Sequence, residues 1–451
     1  MGVDRAVAYT LLGRGFGLVS GIFTLFLVVR FLTPDEQGYY YTFASLLAMQ
    51  ILFELGMSTV VMHFSSHEMA KLSWSNAGTI EGDARAKARL RSLLVLVMKW
   101  YGTIAALIIL VILPLGWIFF SVNHPNSSVN WQVAWVWLVF AAAINIVFLP
   151  LLSLMEGCGH VTEIARLRMF QNIIGSIAAW ALLIGGGGLL AMSAMSTGLA
   201  LTVLIWLWCT KRVFLKNLLD HDEAPEIGID WKAEIWPFQW KIALSWLSGY
   251  FIFQLFTPVL FAYHGAVEAG KMGVSFSIAN ALMSIAMAWM NTQAPQFGKL
   301  VSKKDYANLD HKFFLTLARS VAVIAILATV LCVVNYVAHV ENIQYSNRIL
   351  EPLAFTLLMF ATVLNYVTYA QSAYLRAHKE EPFLFISLIS AGLIGALTLI
   401  LGKEYGALGV MSGYTVVCAI VGFGWGSLIF FSKRREWQKH CEIALVNKDQ
   451  Q

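Results

Sequence analysis

The chain has 451 residues, of which 58% are hydrophobic and only 13% charged, with a mean hydropathy of +0.68 and a formal net charge of +5. A soluble domain carries roughly 45–50% apolar and about 25% charged residues, so this chain has too few solvating groups to keep its apolar side chains in water, and a soluble fold is excluded. The basic residues fall in short clusters between apolar segments and form no long stripe, which argues against a nucleic-acid partner.

In chain order, twelve apolar stretches have the length of a helix that crosses a hydrocarbon core. They begin near Ala8, Tyr39, Leu93, Trp131, Leu167, Leu189, Trp236, Met272, Phe313, Pro352, Phe383 and Ala407. The predicted fold class is therefore an all-α integral membrane protein of about twelve spans. The first span follows no secretory n-region with a cleavage signal and reads as an uncleaved helix. Its Gly13, Gly17 and Gly21 lie four apart, on one helix face that lets a neighbouring backbone approach. Arg14 beside that ridge, and Arg30 near the far end, have two readings: bidentate binding of phosphate oxygens, or snorkelling to the nearest headgroups.

The second span holds the deepest acid of any span, Glu54, in the run Ile51-Leu52-Phe53-Glu54-Leu55-Gly56. A carboxylate there needs a partner or a proton, so it is either an ion-coupling group or half of a structural salt bridge. Beyond it, Arg85, Lys87, Arg89 and Arg91 form a basic helix end suited to anionic lipid. Lys99, Lys241 and Arg319 each sit about two turns into a span. With Arg14 they form either a cationic vestibule for an anionic headgroup or a set of snorkelling anchors.

Uncharged amides recur inside the spans, among them Asn145, Asn280, Asn291, Asn365 and Gln371. Such groups bond helices together or line a polar cavity for a sugar headgroup; Asn145, Asn280 and Gln371 are taken as cavity candidates. Trp131, Trp135, Trp137, Trp231, Trp236, Trp240 and Trp246 read as an interfacial belt. Only Gly185 to Gly188 separate the fifth and sixth spans. The five cysteines include no CxxC pair, so no disulfide framework, metal site or cofactor is read.

With the N-terminus inside, short inner segments hold 23 Lys and Arg residues, from Arg5 to Lys448, and outer ones hold Lys271, Arg348 and Lys403. Both termini are therefore expected in the cytoplasm. The chain divides into an N-terminal six-helix bundle (1–210), a cytoplasmic linker (211–235), a C-terminal six-helix bundle (236–431) and a tail (432–451). An internal repeat is visible where Pro34-Asp35-Glu36-Gln37-Gly38-Tyr39 lines up with Ala266-Val267-Glu268-Ala269-Gly270-Lys271, and Lys71 with Lys303 at the same offset. Two parallel repeats imply two pseudo-symmetric bundles around a central cavity. A membrane enzyme is disfavoured, because the outer loops are short and the one acidic cluster, Asp220, Asp222, Glu223 and Glu226, lies in the linker.

The stretch Phe31-Leu32-Thr33-Pro34-Asp35-Glu36-Gln37-Gly38-Tyr39-Tyr40, followed by Glu54-Leu55-Gly56-Met57, resembles the start of Wzx-type polysaccharide-unit flippases, within the multidrug/oligosaccharidyl-lipid/polysaccharide exporter superfamily. Glu156-Gly157-Cys158-Gly159-His160 after the fourth span and Leu375-Arg376-Ala377-His378 after the tenth are further echoes. The resemblance implies an alternating-access carrier in a bacterial plasma membrane. Its substrate would be an undecaprenyl-diphosphate-linked oligosaccharide for O-antigen, lipopolysaccharide or exopolysaccharide assembly, and other polysaccharide-assembly proteins would be its partners. It also implies a cation-lined cavity, carried here by Arg14, Lys99, Lys241 and Arg319, of which only Arg14 matches the family pattern. The alternative within the superfamily is an ion-coupled multidrug or metabolite exporter.

Overall fold

The computed structural model describes residues 2–75, 79–124, 128–212, 236–378 and 382–449. Among them, ten helices are long and apolar enough to cross a membrane, and a bent pair, Pro34–Glu54 with Met57–Met69, makes an eleventh. The last of the ten, Leu384–Trp437, has 54 residues. As one straight helix it would run about 80 Å, against a hydrocarbon core of about 30 Å. Gly406, at φ 59° and ψ −144°, breaks it into two, which brings the total to twelve and agrees with the span predicted to begin at Ala407. The protein is a multi-pass α-helical membrane protein.

The chain forms two compact units, Met1–Tyr250 and Phe251–Gln451. The start of the second span shows why its sequence is so recognisable. Thr33 caps the helix with its hydroxyl, accepting from the Glu36 N–H at 3.2 Å, while the Glu36 carboxylate accepts from the Thr33 N–H at 2.8 Å. Pro34 opens the first turn, where its missing N–H costs nothing. The eighth span begins at Ala266, the residue aligned with Pro34, behind Gly265 at φ 86°. The helix starts thus keep the repeat register, and three aligned pairs share burial, Gln37 and Ala269, Gly38 and Gly270, and Tyr40 and Met272, whereas Pro34 is exposed where Ala266 is buried and buried Tyr39 aligns with half-buried Lys271.

In the first unit, the first span packs on the fifth. Gly13 faces Met169, and the Trp180 indole donates to Thr24 at 2.8 Å. Gly17 and Gly21 face open space, so the glycine ridge predicted to receive a backbone is in contact only at Gly13. The close helix approach occurs instead between the fifth and sixth spans, where a Cβ on Gly198 would sit 3.2 Å from the Gly175 Cα. The second and fourth spans meet at Gly157, where a side chain would overlap Ser65 and the Met62 carbonyl. Trp135, expected in the interfacial belt, fills the core against Gly116, because glycine leaves an indole-sized gap; Trp131 is buried as well. Trp137, Trp236, Trp240 and Trp246 are exposed, and Trp231 lies outside the described residues.

In the second unit, Met290, Phe297, Phe313, Tyr374 and Phe430 form an aromatic-rich core that joins the eighth, ninth, tenth and twelfth spans. His264 hydrogen-bonds the Gly402 carbonyl at 2.7 Å and packs on Gly406. Residues 213–235, most of the expected linker, lie outside the described residues.

Candidate functional site

Glu54 ends the first half of the bent second span. Leu55 (φ 53°) and Gly56 (φ 66°) are both left-handed there, and the two halves meet at 44°. A left-handed leucine is costly, and the glycine beside it takes up part of the turn without strain. The Glu54 side chain is buried, with Oε1 accepting from Ser58 Oγ at 2.7 Å and from the Tyr101 hydroxyl at 3.2 Å. Oε2 takes no hydrogen bond among the described residues, and no cation pairs with the group. Among the described residues Glu54 is thus held by two hydroxyls and not by a salt bridge, with one oxygen open. Ser58, four residues on, was legible as a helix neighbour; Tyr101, from the third span, was not.

Arg14, Lys99 and Arg319 are exposed on the first, third and ninth spans. Among the described residues, none of their side chains makes a hydrogen bond or an ion pair. Lys241 lies in the helix Trp236–Phe253, with its side chain outside the described residues. Ion pairs elsewhere are close: Arg89 Nε lies 2.8 Å from Glu68, and Arg168 lies 2.7 Å from Glu156. The basic helix end that begins at Arg85 is thus partly neutralised within the protein.

The three amide candidates separate. Asn145 Nδ2 donates to the Ser196 carbonyl at 2.7 Å and to Ser196 Oγ at 3.0 Å, tying the fourth span to the sixth. Gln371 is buried and donates to Ser427 Oγ at 2.9 Å, joining the tenth and twelfth spans. Both act as links between helices. Asn280 is exposed, and among the described residues its side chain makes no hydrogen bond.

Two charged clusters escaped the sequence reading because each is assembled across spans. In the second unit Asp310 is buried and accepts from the Tyr374 hydroxyl at 2.8 Å and from Arg434 at 2.8 and 2.9 Å. In the first unit, the Glu156-Gly157-Cys158-Gly159-His160 turn sets His160 Nδ1 3.0 Å from Glu163, which also holds Lys211 Nζ at 2.7 Å. Trp74 covers the imidazole edge-on at 4.3 Å and donates to the Cys158 carbonyl at 2.8 Å. Burial and the Lys211 ammonium hold His160 below the ordinary histidine value, against the opposing pull of Glu163.

No protein-family model and no curated protein sequence matches the chain. Solved structures do match over nearly its whole length. An inward-facing multidrug resistance MATE family transporter of the MOP superfamily aligns at TM-score 0.64 and 16% identity, covering 96% of this chain and 99% of that one. Lipid II flippase MurJ in an inward closed conformation aligns at 0.53 and 13%, covering 98% and 90%. The Vibrio cholerae MATE transporter VcmN in its bent form aligns at 0.51 and 14%, covering 96% and 97%. The chain has the fold of these transporters. At such identities the likeness concerns fold alone, and the function has to be argued from the residues.

Proposed function

We propose that this protein is a flippase that moves a lipid-linked, diphosphate-bearing oligosaccharide between leaflets of a bacterial plasma membrane, with both termini cytoplasmic. The observation that carries this reading is the set of cations, Arg14, Lys99 and Arg319, exposed on membrane spans with no hydrogen bond or ion pair from their side chains among the described residues. A charge on a span is costly unless water or a counter-ion meets it, and a substrate diphosphate supplies that counter-charge in transit. The guanidinium of Arg14 binds phosphate oxygens through parallel N–H donors, Lys99 draws in the anion, and the lipid tail stays in hydrocarbon. Other polysaccharide-assembly proteins are the proposed partners.

A second reading, an ion-coupled exporter of amphipathic cations, draws support from the open oxygen of Glu54. A leaflet-exposure assay in proteoliposomes with undecaprenyl-diphosphate oligosaccharide separates the two. Translocation that Arg14→Ala reduces by about tenfold or more supports the flippase and its cationic site together. Translocation unaffected by that change keeps the flippase and removes the residue. Failure of the wild-type protein to move the lipid, with uptake of a lipophilic cation, favours the exporter.

A further inference from the structure

The eighth span, Ala266–Ser302, buries Ala279, Leu282, Ala286, Met290 and Phe297 along one face. Ser277, Asn280, Ser284 and Asn291, spaced 3, 4 and 7 residues apart, run along the opposite face. Asn280, Ser284 and Asn291 are exposed. The other spans expose apolar side chains: Ile326, Val330, Val333 and Val334 on the ninth, and Ile174 and Ile177 on the fifth. On the eighth, only Val267 and Trp289 are both large, apolar and exposed, and neither lies on the polar stripe. Hydrocarbon does not solvate a row of amides and hydroxyls, so a stripe of this kind faces water or a polar ligand.

Its hydrogen-bonding capacity is mixed and neutral. Ser284 Oγ donates to the Asn280 carbonyl at 2.8 Å, which leaves its lone pairs as acceptors. Asn291 Oδ1 accepts from the Tyr369 hydroxyl at 2.6 Å, which turns its amide N–H donors away from that contact. The Asn280 amide offers both functions. From residue 272 to residue 298 the helix carries no Asp, Glu, Lys or Arg. Asn280 to Asn291 spans about 16 Å of helix, enough for several sugar rings.

We propose that Ser277, Asn280, Ser284 and Asn291 form a hydrogen-bonding track for the hydroxyl-rich glycan of the substrate. A lipophilic cation would want a carboxylate, and the stripe has none. The inference rests on the flippase reading for its ligand, whereas the water-facing character of the stripe stands on geometry alone.

Two measurements test it. In protein with its five cysteines replaced, Asn280→Cys and Ser284→Cys react with a membrane-impermeant maleimide in proteoliposomes, while Val330→Cys and Ile177→Cys do not. Stripe positions as inert as the controls overturn the proposal. In the leaflet assay, the Asn280→Leu, Asn291→Leu double variant slows undecaprenyl diphosphate carrying a short N-acetylhexosamine oligosaccharide by about tenfold, and the same lipid without a glycan by less than about twofold. Equal slowing of both lipids, or of neither, overturns the track while leaving the flippase intact. A wild-type protein that moves neither lipid overturns the flippase reading and the glycan with it, and the labelling arm then reports separately on whether the stripe faces water.

Discussion

The second and eighth spans begin at aligned residues, Pro34 and Ala266, and share burial at three aligned pairs soon after, yet they diverge further along. The second breaks at Leu55 and Gly56 and holds a buried carboxylate at the break; the eighth continues unbroken for 37 residues, with Ala286 at the position aligned with Glu54. Helix starts are local, set by a cap and a few side chains, so two short aligned stretches suffice to share them. A bend and a buried acid depend on what the neighbouring spans supply, and here only the first unit supplies Tyr101. Both units bury an acid, but in different company: Glu54 is held by two hydroxyls at a helix break, and Asp310 by Tyr374 and Arg434 within an unbroken helix.

The largest test of this difference concerns how the fourth and tenth spans end. Gly157 closes the fourth span against Ser65 and Met62, whereas Ala377 closes the tenth with a methyl group in place. Gly157→Ala should cost about 3 kcal/mol in detergent-solubilised thermal unfolding, because the methyl overlaps backbone on the second span. Ala377→Gly should cost only about 0.5–1 kcal/mol, through chain entropy. Equal costs would mean that the helix approach at Gly157 has no particular weight in the first unit.

A smaller effect is expected at the bend. Glu54→Gln retains an oxygen to accept from Ser58 and Tyr101 but cannot exchange a proton. If this acid couples transport to a proton, the variant should transport about tenfold more slowly, and its rate should no longer vary with pH. An unchanged rate with an unchanged pH profile would remove Glu54 from the mechanism. The two asparagines come next. Asn145→Leu leaves the Ser196 carbonyl and hydroxyl without their donor and should cost about 1 kcal/mol of stability. Asn280→Leu should leave the unfolding temperature nearly unchanged, since its side chain bonds nothing among the described residues.

The sequence carried much of the architecture, for reasons these residues make plain. Span length and the break at Gly406 follow from hydropathy and from glycine, both local properties. The motif around Thr33 to Glu36 is a capping box, so those residues of the family resemblance are explained by helix initiation alone. What stayed hidden is rotation about each helix axis. Asn145 and Asn280 look alike in sequence, yet one ties two helices together and the other faces outward. Trp135 sits near a span end, as a belt residue should, but fills the gap left by Gly116, a partner that only the fold brings to it. Asp310 and Arg434, 124 residues apart, give no local sign of meeting.

The smallest predicted effect compares the histidines that follow the fourth and tenth spans. His160 sits among ions, Glu163 and Lys211, whereas His378 stacks on Trp437 at 3.7 Å with the rings 3° from parallel. Burial and Lys211 place the folded-state pKa of His160 below its unfolded value. Around that unfolded value, near 6.5, the unfolded chain therefore binds more protons than the native protein. The contribution of His160 to stability is then fully present above that pH and is lost as the pH falls through it toward the folded value. His160→Gln should flatten this acid-side decline in unfolding temperature between about pH 7.5 and 5.5, by an amount worth less than about 1 kcal/mol for a half-buried group. Trp437→Ala should lower stability by a similar amount at every pH, because it removes a stacking surface next to His378. If the two variants changed the pH profile alike, the ionic surroundings of His160 would not be what sets the first unit's response to acid.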